Sequence, residues 1–425
     1  MPASIPDIDV PNRRLRRMQW SVLLATMFCY LFFYTGRQTF GFAIPGIQAE
    51  LGLNKATLGW ASTALLWSYA VGQAINGNLA DKVGGRRIMT IGALASTVVN
   101  WVVSLGTSFA SIAVPWGVNG YFQAMGWAAG GRVLSNWWPK GERGKTYGFY
   151  VFAAGTGSVV AYATSVLVLD VWELDWRWIF RIPVLLMLVG GITFFLVARN
   201  RPAERGLPSP VEPEAATLDT EKPEGSRARY AAVLRHPKIW VTGVSIGFQN
   251  AARYGLLVWV PVHFLGANWE KGQAAGGVSP LWVSVALPIG MAIGALVNGQ
   301  ISDRVFGSRR SQPIMVFMLL GAVCAGGMYL IPVDSASVAI AVLFLTGFFV
   351  YGPQASFWAL CPDLVGTARS GTATGVVNFF AYLFAGFGEP LIGHLIDASG
   401  RTSDVFLIVA VCCLASAAFA AVIRR

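Results

Sequence analysis

Mostly apolar stretches of about 20 residues or more recur along the 425 positions, at 19–45, 56–80, 88–106, 109–135, 146–169, 177–198, 238–265, 279–302, 312–332, 335–360, 369–396 and 402–423. A segment of that length spans the roughly 30 Å hydrocarbon core of a bilayer, and it does so as a helix because lipid offers no partner to an open backbone amide. Only 12% of the residues are charged, against about 25% in ordinary soluble domains. That is too little charge to clothe the two or three soluble domains this length could supply, and too much apolar surface for disorder. The predicted fold class is an all-α membrane protein with twelve transmembrane helices.

Lys and Arg exceed Asp and Glu by 11. In a soluble chain that excess would raise the question of nucleic acid, but here its distribution follows topology and no nucleic-acid partner is expected. The N-terminus, every second loop, the central segment and the C-terminus carry 24 of the 32 Lys and Arg, and the opposite loops about five. The positive-inside rule then places both termini in the cytoplasm, with the chain in the plasma membrane, a bacterial inner membrane. Arg13, Arg14, Arg16 and Arg17 precede a first span too long for a signal core and lacking a small-residue cleavage site, so that span is expected to stay. The five cysteines show neither metal-ligand spacing nor a pairing pattern, and no metal, disulfide or cofactor is expected. Pro202, Pro208, Pro210, Pro213 and Pro223 mark residues 199–237 as a cytoplasmic linker between an N-terminal six-helix bundle, 1–198, and a C-terminal one, 238–425. A monomer in the lipid bilayer is expected.

The two bundles share a motif. Gly77-Asn-Leu-Ala-Asp81-Lys-Val-Gly-Gly-Arg86-Arg87 after span 2 is echoed by Gly299-Gln-Ile-Ser-Asp303-Arg-Val-Phe-Gly-Ser-Arg309-Arg310 after span 8, and the aspartates lie 222 residues apart. Glu142-Arg143-Gly144 after span 4 is matched more loosely by Gly366-Thr-Ala-Arg369-Ser-Gly371 after span 10. The duplicated loop resembles the best-known motif of the major facilitator superfamily, whose two halves are related by an axis along the membrane normal and hold substrate between them near the midplane. The resemblance implies a gating role for Asp81, Arg86, Asp303, Arg309 and Arg143. The aspartates can cap a neighbouring helix N-terminus or pair with a basic side chain when that side is shut.

Inside the spans ionisable groups are few, and each costs roughly 3 kcal/mol or more at depth, which makes it a candidate for function. Arg37 stands in span 1 and Arg253 in span 7, 216 residues apart and so near the repeat period. They are predicted to face each other across the central cavity as a two-armed anion clamp, since a guanidinium offers a planar donor fork to phosphate or carboxylate. Glu389 in span 11 is the main acid that could neutralise them. Tyr34 and Tyr30, three and seven residues before Arg37, are expected on its face of one helix, and Tyr254 beside Arg253. Arg132, near an end of span 4, is expected to snorkel to the interface. His263 and His394 are expected to pack at outer helix ends rather than relay protons.

Phe122-Gln-Ala-Met-Gly126-Trp127-Ala-Ala-Gly-Gly-Arg132, Trp137-Trp138, Arg253-Tyr254-Gly255, Tyr351-Gly352-Pro353 and Gly371-Thr372-Ala373 with Tyr382 extend the likeness over nearly all of the chain. Together with Arg37, Tyr30 and Tyr34 they resemble the organophosphate:phosphate antiporters, most closely the glycerol-3-phosphate transporters. That resemblance implies that the paired arginines hold a phosphate group and that inorganic phosphate exchanges for an organic phosphate. It adds Tyr351 and Tyr382 to the site. The chain departs from those carriers at Gln73 (their lysine), Ala154 (their histidine), Thr39 (their asparagine) and Asn250 (their tyrosine), which makes glycerol 3-phosphate itself doubtful and leaves a phosphorylated metabolite, a phosphonate or a sulfonate open. The expected function is secondary active transport of a small organic anion against inorganic phosphate. The alternatives are a proton-coupled organic-anion symporter and a sugar-phosphate membrane sensor. No pattern of paired carboxylates, nucleophile and base, or phosphate-cradling glycines indicates an enzyme.

Overall fold

The computed structural model describes residues 13–53, 55–210, 225–265, 280–331 and 336–423. Helices account for the architecture. In the N-terminal half they are α1 (Arg13–Phe33), α2 (Phe40–Leu51), α3 (Lys55–Val83), α4 (Gly85–Val103), α5 (Phe109–Gln123), α6 (Trp127–Trp137), α7 (Lys140–Val166) and α8 (Pro183–Val197). A short helix, α9 (Ser226–Leu234), precedes α10 (Pro237–Leu265), α11 (Pro280–Arg304), α12 (Ser311–Leu330), α13 (Ala336–Tyr351), α14 (Gln354–Val365), α15 (Ser370–Ser399) and α16 (Asp404–Ile423). Among the described residues six stretches are each long and apolar enough by themselves to cross a membrane: 13–44, 140–169, 176–197, 311–330, 338–365 and 404–423. The remaining predicted spans fall on α3, α4, α5 with α6, α10, α11 and α15.

The same packing scheme appears twice. In the first half α3 packs on α5, α1 on α7 and α8, and α4 on α5 and α8. In the second, α11 packs on α13, α10 on α15 and α16, and α12 on α13 and α16. Between the halves, α3 meets α15 and α7 meets α11, which are again equivalent pairs. Helices in lipid gain little from hydrophobicity and associate where small residues let backbones approach. Gly77 of α3 lies against Gly371 of α15, and Gly144 of α7 against Gly299 of α11, so close that a Cβ on any of the four would strike a backbone carbonyl. These contacts cluster on the side that carries the duplicated Asp-Arg loops, here called the motif side.

Three of the predicted spans are interrupted. Span 1 stops at Phe33, passes through a 3-10 turn at Tyr34–Gly36 and resumes at Phe40. Span 4 breaks between Gln123 and Trp127, and span 10 between Tyr351 and Gln354. Gly126 and Gly352, which sit in the last two breaks, are related by the repeat. Gly126 lies against the rings of Tyr30 and Phe33, and Gly352 against Phe317, where a larger residue would collide. Irregular backbone at membrane depth survives only where neighbours satisfy the freed polar groups. At the first break the Gly36 carbonyl accepts from Asn119 Nδ2 at 2.7 Å and Asn100 Nδ2 at 3.2 Å. A buried network supports these two amides, Ser96 donating to Asn119 at 2.5 Å and Gln123 to Ser96 at 2.8 Å.

Beyond the break α2 is pinned by its end. Glu50 accepts from the Trp176 indole at 2.9 Å and from Arg177 Nη2 at 2.7 Å, and these donors hold its carboxyl down to about 2. The segment predicted as a plain linker is partly helical, because α9 buries Val233 and Arg229. Tyr230 donates to the Ala74 carbonyl of α3 at 2.8 Å, while α9 also touches α10 and α15.

A Gly77→Val substitution is expected to hold α3 and α15 apart on the motif side. Distances between spin labels at Lys82 and Arg309 should lengthen, whereas Gly41→Val, with nothing within 4 Å of the added carbon, should leave them unchanged.

Candidate functional site

Arg37 leaves the helical path at the first break, and its side chain turns into a nest of tyrosines. Its Cζ lies 4.0 Å from the Tyr34 ring centroid, 5.2 Å from that of Tyr69 and 5.7 Å from that of Tyr30, and Nη2 donates to the Tyr30 hydroxyl at 3.3 Å. The sequence expectation put Tyr30 and Tyr34 on one continuous helical face with Arg37. The contacts exist, but the 3-10 turn makes them, not a seven-residue helical spacing. Arg253 sits on the uninterrupted α10, 4.5 Å from the Tyr351 ring centroid and 5.0 Å from that of Tyr254. Among the described residues no carboxylate is within ion-pairing distance of either arginine. Arg37 Nη1 and Arg253 Nε are buried without any partner.

Magnitudes show what this arrangement asks for. Taking a charge out of water costs several kcal/mol, and a desolvated cation–π contact returns about 2 kcal/mol. The rings make the charges tolerable yet bond no more than one of the guanidinium N–H groups, and unmade bonds to buried donors favour an arriving anion.

A small cavity of about 30 Å³ opens between the halves at this level. Tyr30, Tyr34, Tyr69, Trp127 and Ala154 line it from the first half, and Asn250, Arg253, Tyr351, Gln354, Trp358, Asn378 and Tyr382 from the second. Arg37 and Tyr254 stand one layer behind, Arg37 against Tyr34 and Tyr69, and Tyr254 with its ring 6.1 Å from that of Tyr382. Gln73 is fully buried on α3, does not line the cavity, and has no hydrogen-bond partner at either end of its amide. Its position, one turn from Tyr69 and packed toward Gly375 of α15, keeps it on the seam between the halves.

Tyr69, Trp127, Gln354, Trp358 and Asn378 are wall residues that sequence reasoning passed over. Trp127 stacks on Tyr150 at 4.4 Å and meets Trp358 edge-on at 5.3 Å. Both tryptophans stand just beyond the glycine breaks, and those breaks were the available signal. His263 lies in the last turn of α10 with Nδ1 2.8 Å from Thr402 Oγ1. The side chains of Glu389 and His394 lie outside the described residues.

The cavity between two pseudo-symmetric bundles can be set beside known proteins. A sequence profile of the Major Facilitator Superfamily matches residues 26–388. The chain belongs to this superfamily. Among curated relatives of this superfamily member, a probable hexose phosphate transport protein of Chlamydia pneumoniae is 27% identical over 93% of the chain and 89% of its own length. The glycerol-3-phosphate transporter of Bacillus subtilis is 26% identical over 94% and 91%. The membrane sensor protein UhpC of Salmonella typhimurium is 29% identical over 92% and 89%. The superfamily's proton:xylose symporter XylE, solved with 6-bromo-6-deoxy-D-glucose, superposes with a TM-score of 0.72 at 16% identity, covering 95% of both chains. That likeness concerns the fold.

Each motif aspartate reaches into the opposing half on the motif side. Asp81 accepts from the backbone N–H groups of Gly371 at 2.9 Å and Thr372 at 2.7 Å, in the first turn of α15. Its equivalent, Asp303, accepts from Lys145 N at 2.7 Å and Gly144 N at 3.3 Å near the start of α7. Arg143 of the first half pairs with Asp363 of α14 at 2.7 Å.

Three expectations need correction. Arg132 does not snorkel: it is buried and pairs with Asp81, Nε to Oδ1 at 2.9 Å, because α6 points it along the seam instead of toward the headgroups. Arg309 is exposed, and Arg310 takes the place expected of it, pairing with Asp303 and with Asp363 at 3.1 Å. The extra residue in the second motif loop rotates the neighbouring arginine inward. Arg86 stays within its own half, donating to the Phe195 carbonyl at 2.6 and 2.9 Å.

Removing the Asp303 charge leaves Arg310 with one carboxylate in place of two. Asp303→Asn should therefore loosen the motif side. A water-soluble maleimide should label a cysteine placed at Ser370, now bonded to Ser135 at 3.0 Å, several-fold faster than in the otherwise unchanged background.

Proposed function

We propose that this superfamily member is a secondary active transporter that exchanges a small organic phosphate or phosphonate for inorganic phosphate by alternating access. The observation that carries the reading is the pair of half-buried arginines, one from each half, beside a central cavity, each with a buried unpartnered nitrogen and without a described carboxylate partner. The curated relatives named for hexose phosphate and glycerol 3-phosphate agree with a phosphate-bearing ligand. In this reading Arg253 binds the anion directly, and Arg37 reaches it between the rings of Tyr30, Tyr34 and Tyr69. Tyr351, Tyr382 and Asn250 contact the rest of the ligand, and Tyr254 steadies Arg253.

Exchange follows from electrostatics. Closing the empty site forces two like charges together in a medium of low dielectric, whereas a bound dianion removes that penalty by binding the occluded state more tightly. The carrier then crosses between faces when loaded. The motif loops, Asp81, Asp303, Arg143 and Arg310 above all, act as the latch of the state seen here. We place the protein in a bacterial inner membrane as a monomer, with both termini and the motif side in the cytoplasm, as the arginine and lysine distribution supports.

Counterflow in proteoliposomes tests the reading. Uptake of labelled phosphate should require internal phosphate or phosphate ester, and uptake driven by a proton gradient with no internal phosphate would overturn it. Arg37→Lys and Arg253→Lys should each abolish binding with near-normal expression, since lysine keeps the charge and loses the fork. Wild-type affinity in both would remove the clamp. The likeness to a membrane sensor sustains one second reading, in which the same ligand binds without flux, and the counterflow assay separates the two.

A further inference from the structure

Gln249 lies one residue before Asn250, fully buried on α10 and outside the cavity wall. Its Nε2 donates to the Val350 carbonyl at 2.8 Å. A backbone carbonyl can only accept, so this bond settles which end of the amide is which and directs Gln249 Oε1 toward its neighbours. That oxygen accepts twice, from Asn250 Nδ2 at 3.0 Å and from Gln354 Nε2 at 2.7 Å. The Asn250 NH2 group is used a second time, by the Ile246 carbonyl at 3.1 Å.

Two wall residues therefore have their donors turned inward. Asn250 Oδ1 and Gln354 Oε1 take no hydrogen bond from any described residue, and neither is among the sealed-off unpartnered atoms. Both residues line the cavity on the wall that also carries Arg253, so with their NH2 groups engaged the carbonyl oxygens are the ends left for a ligand. Asn378, the third amide of the wall, makes no such bond and can turn either end to a ligand, so it imposes no preference.

We infer that Gln249 is a positioning residue that makes this wall an acceptor surface, selecting phosphate esters or phosphonates whose organic end bears hydroxyl donors and disfavouring those that bear a second acid group. The inference rests on the anion site proposed above and extends it to the other end of the ligand. The arginines hold the phosphoryl group, and hydroxyls on the organic end donate one hydrogen bond each to Asn250 Oδ1 and Gln354 Oε1. A carboxylate in that place meets two carbonyl oxygens that cannot rotate without breaking their bonds to Gln249. A site built around a fixed hydrogen-bonding polarity discriminates more sharply than an apolar pocket, because the mismatched ligand leaves polar groups unpaired.

The test measures binding to the purified full-length protein by isothermal titration with inorganic phosphate, methyl phosphate, glycerol 3-phosphate and phosphoglycolate. Glycerol 3-phosphate should bind roughly tenfold more tightly than methyl phosphate, the equivalent of one good hydrogen bond, and phosphoglycolate no more tightly than methyl phosphate. In Gln249→Leu the freed amides can turn, and the ratio of glycerol 3-phosphate to phosphoglycolate affinity should fall roughly tenfold toward unity. A purely structural lesion would weaken all four ligands together and leave that ratio as it was. Should Gln249→Leu fail to fold, Gln354→Leu removes one acceptor and should lower the same ratio. Phosphoglycolate binding as tightly as glycerol 3-phosphate in the wild type, or an unchanged ratio in the folded variants, overturns the inference while phosphate binding keeps the anion site. Absence of binding by inorganic phosphate and every ester overturns both.

Discussion

Two guanidiniums held largely out of water, with no neutralising acid among the described residues, form the constraint around which the rest of the protein is arranged. Nothing in a folding argument rewards such a pair, since replacing each with an apolar side chain would relieve a penalty of several kcal/mol. The surrounding structure instead accommodates them. Span 1 gives up its helical path so that Arg37 can turn inward, and Asn100 and Asn119 take up the carbonyl released at Gly36. Among the described residues tyrosine rings, not carboxylates, face the charges. In the proposed function, charges left without a described acid partner at this expense are the ones a ligand completes.

The motif side shows the opposite treatment of the same residue types. There Arg132, Arg143 and Arg310 are buried too, yet each meets an aspartate, and the aspartates Asp81 and Asp303 also cap backbone N–H groups of the opposing half. Charges are paired on that face, whereas beside the cavity Arg37 and Arg253 have no described acid partner. In the proposed function this contrast separates locking from binding. A latch must be complete without ligand, whereas a binding site is complete only with it. Glycine contacts between α3 and α15 and between α7 and α11 let the latch residues reach across. The helix α9 adds a strap between the halves that sequence patterning alone reads as linker.

The charged candidates could be singled out in advance because ionisable residues are so rare in apolar segments that each one stands out. Arg37, Arg253 and the tyrosines adjoining them fall into this class, and the repeat period linked them. The wall residues Gln354, Asn378, Trp127 and Trp358 did not stand out, since neutral amides and aromatics occur throughout membrane helices for packing and anchoring. Arg132 misled for a related reason. Near a helix end an arginine reaches headgroups or a buried acid equally well, and only the rotation of α6 chose Asp81. The choice between Arg309 and Arg310 turned on one inserted residue, a matter of loop geometry.

The sequence by itself determined the helical membrane architecture, its duplication and the identity of the charges at depth, because hydrophobic length, periodicity and the cost of burying an ion are local properties of the chain. Tertiary structure decided where spans 1, 4 and 10 break, which arginine closes each latch, and which way the amides of Asn250 and Gln354 point. Those outcomes depend on partners brought together from distant positions: Gly36 with Asn119, Asp303 with Lys145, Gln249 with Gln354. A hydrogen bond or ion pair across the bundle has no signature in either residue's own neighbourhood, and it exists only once the helices have packed.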